Sequence, residues 1–178
     1  MSSSWAATSL QSAYIFFRKQ EYYKSAIPST QNVMPIRTVL DDPLGIIMQI
    51  VTNSLVTEEV VQAQKDLYLS AGHDPNTAVL WDLRKGNPSG TNHSEIEKMV
   101  HQSSGFWNKM SGGRTAILAD SVDGIAVGRM YKSLAAAMPR WIRVFHSYDD
   151  AMAWLQEAPP PGDGWRLGDN PDSRINKI

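Results

Sequence analysis

Two polar stretches hold the side chains best equipped for recognition chemistry. Asp82 stands near the end of the apolar run Thr77–Leu83 and Arg84, Lys85, Ser89, Thr91, Asn92, His93 and Ser94 follow it, while Asp120, Ser121 and Asp123 follow the run Thr115–Ala119, with Arg129 further on. Ser94 and Ser121 fall where helices are predicted to begin. Free backbone N–H groups there, helped by Arg84, Lys85 or Arg129, make a candidate anion or partner-contact site. The plain structural alternative is local pairing of Asp82 and Asp120 at strand ends, with both serines as ordinary caps. A second candidate is apolar. Trp107, Met110, Met130, Tyr131 and Met138 would line a pocket for a small apolar ligand, because methionine adapts its shape and Trp or Tyr offers a polar edge. Core packing is the structural alternative for these residues as well.

Catalytic constellations are not found. The chain has no cysteine, which excludes disulfides, thiolate metal sites, Fe–S clusters and a Cys nucleophile. Gly86-Asn87-Pro88-Ser89-Gly90 lacks the spacing of a nucleophile elbow. His73, His93, His101 and His146 are scattered with no metal-ligand spacing, so no metal and no cofactor is expected. Gly124 and Gly128 lie in a helical pattern and mark close helix–sheet packing rather than a phosphate cradle. Asp41, Asp42 and Asp82 raise a phosphoacceptor-receiver reading, which fails because Asp41-Asp42-Pro43 turns directly into a second strand and the last strand ends in His146, not lysine.

The surrounding 178 residues carry 17 basic and 18 acidic side chains and are 42% apolar, which fits one globular domain with a real core and argues against a nucleic-acid binder. The charges are unevenly spread: net +2 over residues 1–33, net −3 over 34–157, and equal signs over 158–178. Pro159-Pro160-Pro161 and further Pro and Gly predict a disordered tail over 158–178. Residues 1–33 read as a poorly ordered extension or a short amphipathic helix; their apolar run Tyr14–Phe17 is far shorter than the roughly 20 residues that span a bilayer. An integral membrane protein is therefore not expected.

Residues 34–157 are regular. Ile36–Leu40 and Leu44–Val51 predict a hairpin, and Thr77–Leu83, Thr115–Ala119 and Trp141–His146 predict further strands. Between them run helical patterns: one from Thr57 with Val60, Ala63 and Leu67; one from a capping box at Ser94; one from Asp120 or Ser121 with Val127, Met130, Leu134 and Met138; and one from Ser147 with Ala151, Trp154 and Leu155 inward. The order β-β-α-β-α-β-α-β-α predicts a single α/β domain with a mixed, mostly parallel sheet and right-handed crossovers.

Three segments resemble small bacterial SpoIIAA-like proteins of the STAS type, related in fold to CRAL-TRIO lipid-binding domains. They are Val79–Arg84 (VLWDLR), Arg114–Tyr131 (RTAILADSVDGIAVGRMY) and Ile142–Leu155 (IRVFHSYDDAMAWL). The resemblance implies helices packed mainly on one side of the sheet and, often, self-association. STAS-type antagonists switch partners through a phosphorylated serine in a "DSSG"-like turn; here Asp82-Leu83-Arg84-Lys85 stands there, with Ser89, Thr91 and Ser94 nearby but outside the motif. The leading expectation is a non-enzymatic, cytoplasmic regulatory or protein-interaction module that forms a homo-oligomer and uses the two polar loops as its contact face. The alternative is a carrier or sensor of a small apolar ligand or lipid, and an undetected enzyme stands third.

Overall fold

The computed structural model describes residues 36–41, 44–110 and 112–157; the expectations for residues 1–33 and 158–178 lie outside the described residues. Strands β1 (Ile36–Asp41) and β2 (Ile46–Val51) lead to helix α1 (Thr57–Tyr68). Then follow β3 (Val79–Asp82), α2 (His93–Ser104), a short 3-10 turn at Trp107–Lys109, β4 (Arg114–Leu118), α3 (Val122–Leu134), β5 (Trp141–Phe145) and α4 (Tyr148–Gln156). The sheet order is β1-β2-β3-β4-β5. Only β1 runs antiparallel, with Ile36 opposite Val51, and β2 to β5 are mutually parallel. The mixed, mostly parallel sheet is the one the apolar runs predict.

Each new parallel strand is added on the same side of the last, so crossovers of one hand carry α1, α2 and α3 over the same face. Val79, Trp81, Ile117 and Ile142 from that face join Val60, Leu67, Ile96, Met99, Val127 and Tyr131 from the helices in one core cluster. The opposite face presents Ile46, Met48, Ile50, Leu80, Ala116 and Leu118, all buried. Helix α4 lies there: Trp154 packs on Phe145 with ring centroids 5.5 Å apart, and Arg114 donates to the carbonyls of Trp154 and Glu157, satisfying the end of α4. Helices thus sit mainly, but not wholly, on one side.

The helix starts show which caps the chain uses. Ser121 and Ser147 cap α3 and α4 as the sequence predicts, accepting from the N–H groups of Gly124 and Asp150. A Ser121→Ala variant is expected to lose about 1 kcal/mol in urea titrations, the usual cost of an orphaned first-turn donor. Helix α2 differs. Its cap is Asn92, whose side chain accepts from Glu95 N–H, and Ser94 is already inside the helix. Thr57 is likewise the first helical residue rather than a cap; its buried hydroxyl donates to the Glu95 carboxylate at 2.9 Å, tying α1 to α2.

Helix α3 rides close to the sheet at Gly128, where an added Cβ would lie 3.1 Å from Ile117 Cγ2 and 3.3 Å from both Val144 methyls. Gly128→Ala should therefore cost about 1–2 kcal/mol despite alanine's better helix propensity, measurable by the same titration.

At the amino ends of the strands a single cation closes the structure. Arg140 is 1% exposed. Its guanidinium donates to the Thr115 hydroxyl and to the carbonyls of Pro75, Met110, Thr77 and Arg114, all at 2.7–3.2 Å. The same group lies 5.3 Å from the centroid of the Tyr68 ring. Gly113 is required beside it, because a Cβ there would fall 2.6 Å from both terminal nitrogens.

Candidate functional site

The carboxyl ends of the parallel strands gather the polar loops, as open α/β sheets tend to do. Asp82 closes β3 and is 3% exposed. It accepts the backbone N–H of Arg84 at 3.1 Å and a two-pronged ion pair from the same residue, Nε to Oδ1 at 2.9 Å and Nη2 to Oδ2 at 2.7 Å. Burial pushes the Asp82 carboxyl up to about 6; the Arg84 N–H and Lys85 pull against that rise, and Asp120 adds to it. The Arg84 guanidinium also lies 5.6 Å from the Tyr148 ring centroid, linking β3 to the first turn of α4.

Beyond Asp82 the loop is bolted down on both sides. Asn87 N–H donates to Asn53 carbonyl at 2.9 Å, and Ser54 and Asn87 form a parallel bridge, fixing the loop to the segment after β2. Ser89 donates its hydroxyl to Asp123 at 3.0 Å, fixing it to the first turn of α3. Beside that bond Val122 is 83% exposed, and Val56, just ahead of α1, is 40% exposed. These two valines are apolar points in a polar rim.

The predicted contact residues are spread over the loop after β3, the start of α2, and the start and middle of α3. Asp82 and Arg84 form one unit, with Lys85 exposed beside it. Ser89, Asp120 and Ser121 gather at the start of α3, while Thr91 is half-buried just ahead of the Asn92 cap. Ser94 is exposed in the first turn of α2, and Arg129 is exposed about two turns along α3 from Val122. The Arg84 guanidinium is engaged by Asp82 and lies over Tyr148, the first residue of α4. Sequence reasoning missed Val122 and Val56, whose only signal was an apolar residue at a helix start.

Beneath this rim lies a cavity of about 40 Å³. Leu55, Val60 and Gln64 wall it from the first crossover, Trp81, Leu83 and Ile117 from the sheet, Ile96 and Met99 from α2, and Val127, Gly128 and Tyr131 from α3. Its polar edge is a buried chain across three helices: Ser103 hydroxyl donates to Gln64 Oε1, and Gln64 Nε2 donates to Tyr131 Oη at 3.1 Å. Burial pushes the Tyr131 phenol above its ordinary value, so it is neutral at any physiological pH. Of the five residues in the predicted apolar pocket, Tyr131 lines this cavity; Met110 and Met138 are packed in the core at 2% exposure, and Trp107 and Met130 are half-buried against it.

Among the described residues no group of three or more His, Cys, Asp or Glu is placed to hold a metal ion. Nor, among them, is any helix long and apolar enough to cross a membrane.

Fold and crevice together define an α/β protein with an antiparallel edge strand followed by successive βα units, and with polar loops gathered at the carboxyl ends of its parallel strands. A crystal structure described as an uncharacterised protein of the DUF3478 family with a SpoIIAA-like fold, from Shewanella loihica, is similar to this chain at 16% identity; the match covers 72% of this chain and 99% of that one, with a TM-score of 0.48. No protein-family model matches the sequence, and no curated protein does.

Proposed function

We propose that this protein is a non-enzymatic regulatory module that binds a protein partner through the rim at the carboxyl ends of its strands. One observation carries the reading: the loop after β3 is tied to the segment after β2 and to α3 by the Asn53–Asn87 and Ser89–Asp123 bonds, while Val122, next to Asp123, stands 83% exposed. A preorganised polar loop around an exposed apolar anchor is the anatomy of a protein-binding patch, since ordering costs are met before the partner arrives. The contact set is Asp82, Arg84, Lys85, Ser89, Thr91, Ser94, Asp120, Ser121 and Arg129, with exposed Val122 as its apolar member. The module works in the cytoplasm as a homo-oligomer, for which β1 and β5 supply the two sheet edges.

A lipid carrier is less well supported. A cavity that binds benzene measures about 150 Å³, against about 40 Å³ for the one between the crossover helices and the sheet. The test is affinity capture from host cells with the wild type and with a Ser89→Ala, Thr91→Ala, Val122→Asp variant, the last change being tolerated at a helix start. A defined protein retained by the wild type and lost by the variant is expected; identical recovered sets would remove the support. Native mass spectrometry of the same preparations should show a clean oligomer, and a retained lipid-sized adduct would favour the carrier.

A further inference from the structure

We infer that the cavity between the three crossover helices and the sheet binds a small, neutral, apolar molecule of about three non-hydrogen atoms. The size follows from its volume of about 40 Å³, because roughly 10–15 Å³ accommodates one water-sized group. Aromatic rings and acyl chains are too large by the same measure.

The chemistry follows from the walls. Val60, Ile96, Met99, Ile117 and Val127 are aliphatic or thioether, so an ion would lose its hydration without replacement. Water is poorly held too. It needs two to four polar partners, and little at this edge is left to supply them: the Gln64 carbonyl takes the Ser103 hydroxyl and one amide N–H gives to Tyr131 Oη, which leaves the phenol O–H and the second amide N–H against otherwise apolar walls. What remains is an apolar void that gains dispersion contacts when filled. Because α1, α2 and α3 each contribute wall residues, the occupant touches every element that carries the contact rim. Leu55, half-buried between β2 and α1, is the one wall residue that is not buried. The inference stands on the cavity alone and holds whether or not the rim binds a protein.

Xenon is the probe. The full-length protein with labelled methyl groups is titrated with dissolved xenon under pressure and followed by methyl NMR. Saturable shifts are expected at Val60, Ile96, Ile117 and Val127, with methyls on the α4 side of the sheet unmoved. Adding one methylene to the wall in Val127→Ile, or in Val60→Ile should the first fail to fold, is expected to abolish the xenon response while leaving the urea midpoint equal to or above that of wild type. Benzene is expected to give no response. The inference is overturned by a wild type with no saturable response, by filled variants that respond like wild type, by a benzene response at the same methyls, or by a long-lived water detected through cross-relaxation to them.

Discussion

Replacing Arg140 with methionine is expected to remove at least about 3 kcal/mol of stability, enough to threaten folding of a domain with ordinary margins. Arg140, one residue ahead of β5, serves one hydroxyl and four carbonyls that lie ahead of β3 and in or ahead of β4. A methionine fills much of the volume but gives none of these acceptors a donor, and each buried acceptor left unmade costs about 1–3 kcal/mol. Arg140→Lys should fall between wild type and Arg140→Met, since one ammonium cannot span five acceptors. Thr115→Val, which deletes a single acceptor, should cost only about 1 kcal/mol. Urea unfolding followed by tryptophan fluorescence orders the three. Should Arg140→Met fall within 1 kcal/mol of wild type, water must serve those carbonyls, and Arg140 would not be the closure it is taken for. A second reading comes from His73. Burial holds its imidazole below the ordinary value, Arg140 lowers it further and Asp74 opposes. Removing the guanidinium should let it rise, though not fully.

The second large effect is a pH dependence that runs opposite to common acid denaturation. Asp82 ionises at about 6 in the folded chain, above the 3.8 of an unperturbed aspartate. The folded state therefore binds this proton more tightly than the unfolded state does. Its contribution to stability grows as pH falls through 6 and is complete below 3.8, amounting to about 3 kcal/mol across the window at most. Other carboxylates run the opposite way: the Glu58 carboxyl is held low by its bond to Lys98 and loses that advantage in acid. Comparing wild type with Asp82→Asn from about pH 7.5 to 4.5 isolates the single group. The wild type is expected to gain on the variant as pH falls. The reverse trend would mean that the two-pronged Arg84 ion pair outweighs burial and holds the carboxyl charged.

Much of the framework was legible. The runs around β3 and β4, Thr77–Leu83 and Thr115–Ala119, are mostly apolar without alternation because helices cover both faces of the central strands, and that pattern survives in a single sequence. Ser147 could be read as a cap because it stands alone ahead of an apolar stripe, while ahead of α3 the pattern left Asp120 or Ser121, of which Ser121 is the cap. At α2 two competent caps, Asn92 and Ser94, stand two residues apart, and local pattern could not rank them. Arg140 illustrates what the sequence hides: its acceptors lie 25 to 65 residues away, so only the tertiary fold brings them together. The same holds for the Ser103–Gln64–Tyr131 chain, whose members span 67 residues. The two polar loops were visible because they follow apolar runs. That Arg84 turns back onto Asp82, and that Val122 points outward, are consequences of backbone direction.

The rim as a protein contact face is tested most directly by a photo-crosslinking amino acid placed at position 122 in the host cell, with the same group at Gln102, exposed on α2, as control. Irradiation should give a discrete crosslinked protein at 122 that is absent at 102 and is lost when Ser89 and Thr91 are changed to alanine. A protein folded and expressed at normal levels that gives no crosslink at 122, or the same products at both positions, would contradict the assignment.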